Sequence, residues 1–197
     1  MNYDVEMNKI INNLDCKPKL LLQSCCAPCS TTVIERLKDC FDITIIYYNP
    51  NIEPFIEYEK RKAEQIKIIN HYNINYIDCD YDNNLFHEMS KGLEDVPEKG
   101  IRCHKCYRLR LNYVAKKAKE LGYDYFGTTL TVSPYKLSGV INEIGLELEN
   151  IYGIKFLVSD FKKNNGYKRS IELSNKYNLY RQNYCGCIYS RKSDINE

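Results

Sequence analysis

Five apolar runs, each followed by a segment of helical period, leave this chain little architectural freedom. KLLLQSC (19–25), DITIIYYNP (42–50), INYIDCDY (74–81), YDYFGTTL (123–130) and KFLVSDF (155–161) read as strands. Helical segments at 31–40, 53–72, 83–93, 103–121, 136–153 and 168–179 fall between and after them, behind a polar helix at about 4–14. Pro28 and Pro54 mark helix starts, where a missing N–H costs nothing. This alternation predicts an α/β fold with a mostly parallel sheet and helices on both faces. With no repeat or low-complexity linker, a single domain over 1–197 is expected: 1–18 a helix and lead-in, 19–192 the core.

A chain of 197 residues can bury a core without covalent staples, so its ten cysteines are not required for stability. The N-terminal stretch MNYDVEMNKIINNLDCKPK has no basic-then-apolar leader, and no apolar run approaches the ~18–20 residues that cross a bilayer. A reducing cytoplasm, with no membrane contact, is the expected setting. There, closely spaced cysteines are metal ligands or redox groups rather than bridges.

Seven cysteines fall in three clusters: CCAPC (Cys25, Cys26, Cys29), CHKC (Cys103, Cys106) and CGC (Cys185, Cys187). Vicinal Cys25 and Cys26 do not readily close a disulfide on each other, because that ring is strained. Cys103 and Cys106 stand at a helix start, where the dipole favours thiolate, the ligand form. Gly186 lets its two neighbours meet as a redox pair or as ligands of a second metal. Two Cys-x-x-Cys pairs suit tetrahedral zinc, an iron–sulfur cluster, or thiol–disulfide chemistry without metal, and spacing alone does not choose. Seven thiols do exceed what one zinc needs. Cys16, Cys40 and Cys79 stand alone and read as small apolar fillers.

The net charge of +2 conceals a polarised distribution. Residues 101–119 carry seven basic and no acidic side chains, and 161–193 carry eight basic against Glu172 alone. Two thiol clusters thus lie in basic segments, as expected if a polyanion docks across them. In the helix at 103–121, Tyr107, Leu111, Val114, Ala118 and Leu121 form an apolar stripe; Lys105, Arg108, Asn112, Lys116 and Lys119 form the opposite one. Lys105, Arg108 and Lys116 are therefore candidate phosphate contacts, and Tyr107, Tyr184 and Tyr189 candidate stacking platforms for an unpaired base. In TLTVSPYK, after a strand, Ser133 and Lys136 could reach a phosphate. No glycine-rich dinucleotide fingerprint or Walker lysine loop is present.

Together CCAPC, RCHKCYRLRL, TLTVSPYK and YRQNYCGCIYS, in this order over about 19–192, resemble the QueH-type epoxyqueuosine reductases, cobalamin-independent enzymes of tRNA queuosine synthesis. The resemblance implies a HUP-like α/β fold, a 4Fe-4S cluster, and reduction of epoxyqueuosine at the tRNA wobble position with electrons from an unidentified donor. It assigns Cys25, Cys26, Cys103 and Cys106 to the cluster and Cys185 with Cys187 to a redox-active, disulfide-forming pair. An additional adjacent iron would draw on Cys25, Cys29 and one of Cys185 or Cys187; Cys29 stands where some members have aspartate. The rival readings are a zinc-stabilised RNA-binding module and an iron–sulfur electron-transfer protein.

Overall fold

The computed structural model describes residues 1–191; Lys192, counted above with the basic C-terminal segment, and the core boundary there lie outside the described residues. Strands β1 (Lys19–Gln23), β2 (Asp42–Ile46), β3 (Asn75–Ile77), β4 (Tyr125–Thr128) and β5 (Lys155–Phe156) form one sheet in the order β3-β2-β1-β4-β5. Every pairing is parallel, as the alternation of elements predicts. The helices are α1 (Tyr3–Asn12), α2 (Ala27–Leu37), α3 (Phe55–Tyr72), α4 (Asn83–Ser90), α5 (Ile101–Glu120), α6 (Ser138–Tyr152) and α7 (Gly166–Lys176).

The central strand shows why both faces are covered. Side chains alternate along a strand, so Leu20 and Leu22 join Val33, Ile34 and Ile68 in one core, while Leu21 joins Leu111, Val114 and Ile141 in the other. All three leucines are fully buried, worth roughly 1.5–3 kcal/mol each. Helices α2, α3 and α7 pack together on the first face, and α4, α5 and α6 on the second. Gly145 lets α6 press onto the sheet: a Cβ there would stand 2.2 Å from the Phe156 ring.

Helix α2 begins at Ala27, with Cys26 as its N-cap and, as expected, Pro28 in its first turn, so Cys29 lies in the helix. Two local expectations shift. β5 pairs only over Lys155–Phe156, because β4 ends at Thr128 and turns into a 3-10 segment at Leu130–Val132; Leu157 N–H adds a last bond to Phe126 O at 2.9 Å. Leu121 caps α5 and is 54% exposed, whereas Tyr107, Leu111, Val114 and Ala118 are buried as their spacing predicts.

The chain adds β2 and β3 on one side of β1, then β4 and β5 on the other. This reversal opens a crevice at the C-terminal ends of β1 and β4, where open α/β sheets bind ligands. Cys25 follows β1 directly, and its N–H donates to Thr129 Oγ1, just past β4, at 3.4 Å.

Candidate metal centre

The turn from β1 into α2 gathers one group of thiols. The Sγ atoms of Cys25, Cys26 and Cys29 all lie within 4.8 Å of one another. Beneath them Ser24 Oγ and Ser30 Oγ both donate to Gln65 Oε1 of α3, at 2.5 and 2.8 Å, so the turn cannot move independently of the helices. Hydrogen bonds from Cys26 and Cys29 hold the Cys25 thiol well below its ordinary value, against burial and with help from Arg110 and Lys136. Its bond to Cys25 pushes Cys26 up to about 12, and Cys29 is raised by the same partner. A metal bound here would displace the protons that remain on these sulfurs.

Cys103 and Cys106 lie in the first turns of α5, outside that tight group of three. The dipole does not decide their ionisation, contrary to expectation: burial raises both thiols, Cys106 to about 11, despite the nearby positive charge of Lys136. Cys106 packs against Cys187 and Phe86, and Cys103 against the apolar core that also receives Cys25.

The third cluster is held by α3 and the loop before it. Arg61 is 2% exposed, pairs with Glu57 at 2.7 Å, and donates to the carbonyls of Cys185 at 3.2 Å and Tyr184 at 3.4 Å. Glu53 N–H donates to Gly186 O at 2.9 Å, and Tyr184 Oη–H to Glu53 O at 2.8 Å. Gly186 is required there: its φ is +121°, and a Cβ would meet Ile52 at 2.9 Å and Arg61 at 3.1 Å. Lys136 Nζ donates to Cys185 Sγ at 2.9 Å. The Cys187 hydrogen bond, assisted by Lys136, lowers Cys185 against burial; Cys187 is raised in return. All ten cysteines are free thiols, so Cys185 and Cys187 are close but not bonded.

Cys25, Cys29 and Cys185 line one cavity of about 320 Å³. Arg61, Arg110, Lys136 and Arg181 bring positive charge to its wall, against Glu98 as its carboxylate. Asn51 Oδ1 and Gln182 Oε1, on lining residues, are buried acceptors without partners among the described residues.

These lining cations are not the expected ones. On α5, Cys103, Cys106, Tyr107 and Arg110 share the inward stripe, and Lys105, Arg108 and Lys116 are exposed on the opposite side. Arg108 pairs with Glu147, and Lys116 stands 3.9 Å from Glu120. Tyr107 is 4% exposed within the core, so it offers no open ring face to a base; Tyr184 and Tyr189 are half-buried. Lys136 is the exception: with Ser133 it lines the cavity, and its Nζ donates to Cys185 Sγ. Of the isolated cysteines, Cys79 is buried, Cys40 half-buried and Cys16 exposed. Sequence reading passed over Arg61 because a Glu57-x3-Arg61 spacing looks like an ordinary surface pair.

Comparison with known proteins follows the same lines. The family model described as epoxyqueuosine reductase QueH matches residues 20–193. The curated epoxyqueuosine reductase QueH of Staphylococcus epidermidis is 47% identical, over 96% of this chain and 84% of that protein. The Thermotoga maritima protein of the same name is 36% identical, over 87% of this chain and 89% of its own length. Among solved structures, the U34-tRNA thiolase NcsA from Methanococcus maripaludis with its [4Fe-4S] cluster superposes with a TM-score of 0.58 at 14% identity, covering 97% of this chain and 68% of that one. NMN synthetase from Francisella tularensis gives 0.53 at 12% identity, covering 93% and 75%. The two structures share the HUP-like α/β fold; the sequence relatives and the family model show that the chain belongs to the epoxyqueuosine reductase QueH family.

Proposed function

We propose that this chain reduces epoxyqueuosine to queuosine at the wobble position of tRNA. The observation that carries the reading is the meeting of the Cys25–Cys29 turn and the Cys185–Cys187 turn at one cationic cavity, in a chain of this family. An all-sulfur donor set with three Sγ atoms within 4.8 Å suits an iron–sulfur cluster. Cys25 and Cys26, with Cys103 and Cys106 from the start of α5, would hold it; in the alternative partition Cys25, Cys29 and one of Cys185 or Cys187 would hold an additional iron. When bound, the cluster supplies electrons one at a time.

Converting the epoxide to an alkene removes one oxygen as water and consumes two electrons and two protons. The Cys185–Cys187 pair holds a matching complement. Its oxidation to a disulfide releases two electrons and the proton of Cys187, while Lys136 Nζ, 2.9 Å from Cys185 Sγ, holds the second proton. An electron donor must then reduce the pair before the next turnover. A cavity of about 320 Å³ admits one modified nucleobase and not a paired stem, so the wobble nucleotide enters flipped out. Asn51 Oδ1 and Gln182 Oε1 await hydroxyl or amine hydrogens of that base. Lys105, Arg108 and Lys116 lie on the outward side of α5, where they would meet phosphates of the anticodon arm, with Tyr184 and Tyr189 nearer the thiols.

The test is anaerobic incubation of the iron-loaded chain with tRNA bearing epoxyqueuosine and a chemical reductant, followed by mass analysis of nucleosides. Loss of one oxygen from the modified nucleoside is expected. Unchanged epoxyqueuosine, with the cluster intact and reduced, would reject the activity.

A further inference from the structure

Arg61 and Arg110 are the two largest fully buried side chains, and they are compensated in different ways. Arg61 has the Glu57 carboxylate and two backbone carbonyls. Arg110, 2% exposed, meets no carboxylate among the described residues. Its Nη2 donates to Asn49 Oδ1 at 2.5 Å, and its Nε is buried without a partner among the described residues. A guanidinium removed from water without a counter-ion is costly, so a fold that keeps one reserves it for an anion of another kind.

The direction of that charge is fixed by a buried relay. Asn49 Nδ2 donates to Ser24 O at 2.8 Å, while its Oδ1 also accepts from Gln23 Nε2 at 3.2 Å. Gln23 Oε1 accepts in turn from Thr128 Oγ1 at 2.8 Å. The relay therefore crosses β4, β1 and the loop after β2, and the guanidinium cannot withdraw to solvent. On its other side Arg110 lines the cavity beside Cys25, Cys29 and Cys185, and on α5 it stands one turn beyond Cys106, on the same inward stripe.

We infer that Arg110 is the built-in counter-charge of the thiolate-held cluster, a positioning residue that sets its reduction potential and is aimed by Asn49, Gln23 and Thr128. The inference rests on the reading that the clustered cysteines hold iron and sulfide. A cluster gains negative charge when it accepts an electron, and a fixed cation beside it favours that reduced state.

Arg110→Met keeps length and loses charge; Arg110→Gln loses charge but keeps a donor toward Asn49, and serves should the first fail to fold; Arg110→Lys keeps the charge. Each full chain is loaded with iron and sulfide without oxygen, and iron content, midpoint potential and tRNA affinity are measured. The neutral variants should show a lowered midpoint potential at unchanged tRNA affinity, with Arg110→Lys close to the parent. An unshifted potential in a loaded neutral variant would overturn the inference. Lost tRNA affinity at unshifted potential would do so too, and would make substrate phosphate the anion. A parent chain that takes up no sulfide would instead remove the cluster reading itself.

Discussion

The Cys25–Cys29 turn and the Cys185–Cys187 turn reach one cavity by opposite means. The first is continuous with the fold: β1 ends, α2 begins at Ala27, and buried bonds among Ser24, Ser30 and Gln65 fix the join. The second is followed, among the described residues, by a 3-10 segment at Ile188–Ser190 and is held from outside, by Arg61 and Glu53. The first is tied to the sheet, whereas the second depends on contacts from α3 and the loop before it. That difference suits the proposal of a fixed ligand set beside a redox-active pair.

The strongest way to break this contrast is to remove a ligand from the fixed side. Cys26→Ala, and separately Cys103→Ala, should bring bound iron and sulfide close to zero while far-ultraviolet circular dichroism remains native. Full iron in either variant would strike that cysteine from the ligand set. On the other side, Cys187→Ser should keep the cluster's iron and sulfide but lower multiple turnover by on the order of a hundredfold, because both the exchanging sulfur and its proton are lost. Undiminished turnover would leave the pair without a redox role.

A third substitution acts on the clamp alone. Arg61→Gln removes the cation paired with Glu57, itself 11% exposed, leaving the carboxylate the Tyr180 hydroxyl at 3.2 Å, and should cost roughly 3 kcal/mol. Amide exchange should quicken over 180–190 but not over 20–30; equal acceleration in both would mean that the two turns are not independent. The smallest effect is expected from neutralising Lys105, Arg108 and Lys116 together. The salt slope of tRNA binding should fall by at most about three, and nearer one, because Arg108 is paired with Glu147 and Lys116 lies close to Glu120. An unchanged slope would move the phosphate contacts off α5.

The same contrast explains what the residues disclosed before the structure. Apolar runs and cysteine spacing are local signals, so the strands, the parallel sheet and the three thiol clusters were legible. Arg110 looked like one more cation on a basic helix, because its burial depends on how Asn49 of the β2–α3 loop meets Gln23 of β1. Tyr107 misled for the converse reason: a tyrosine beside thiols looks available for stacking until α5 turns it into the core. The ionisation of Cys103 and Cys106 was misjudged because a helix start is visible in sequence and the depth of burial is not.

Whether these thiols hold iron and sulfide is measured most simply as iron, acid-labile sulfide and zinc per full chain purified without oxygen. Four or five irons with about four sulfides are expected, the excess over four marking the additional iron. Zinc near one per chain, with no sulfide even after anaerobic reconstitution, would contradict that expectation and favour a structural role for the same cysteines.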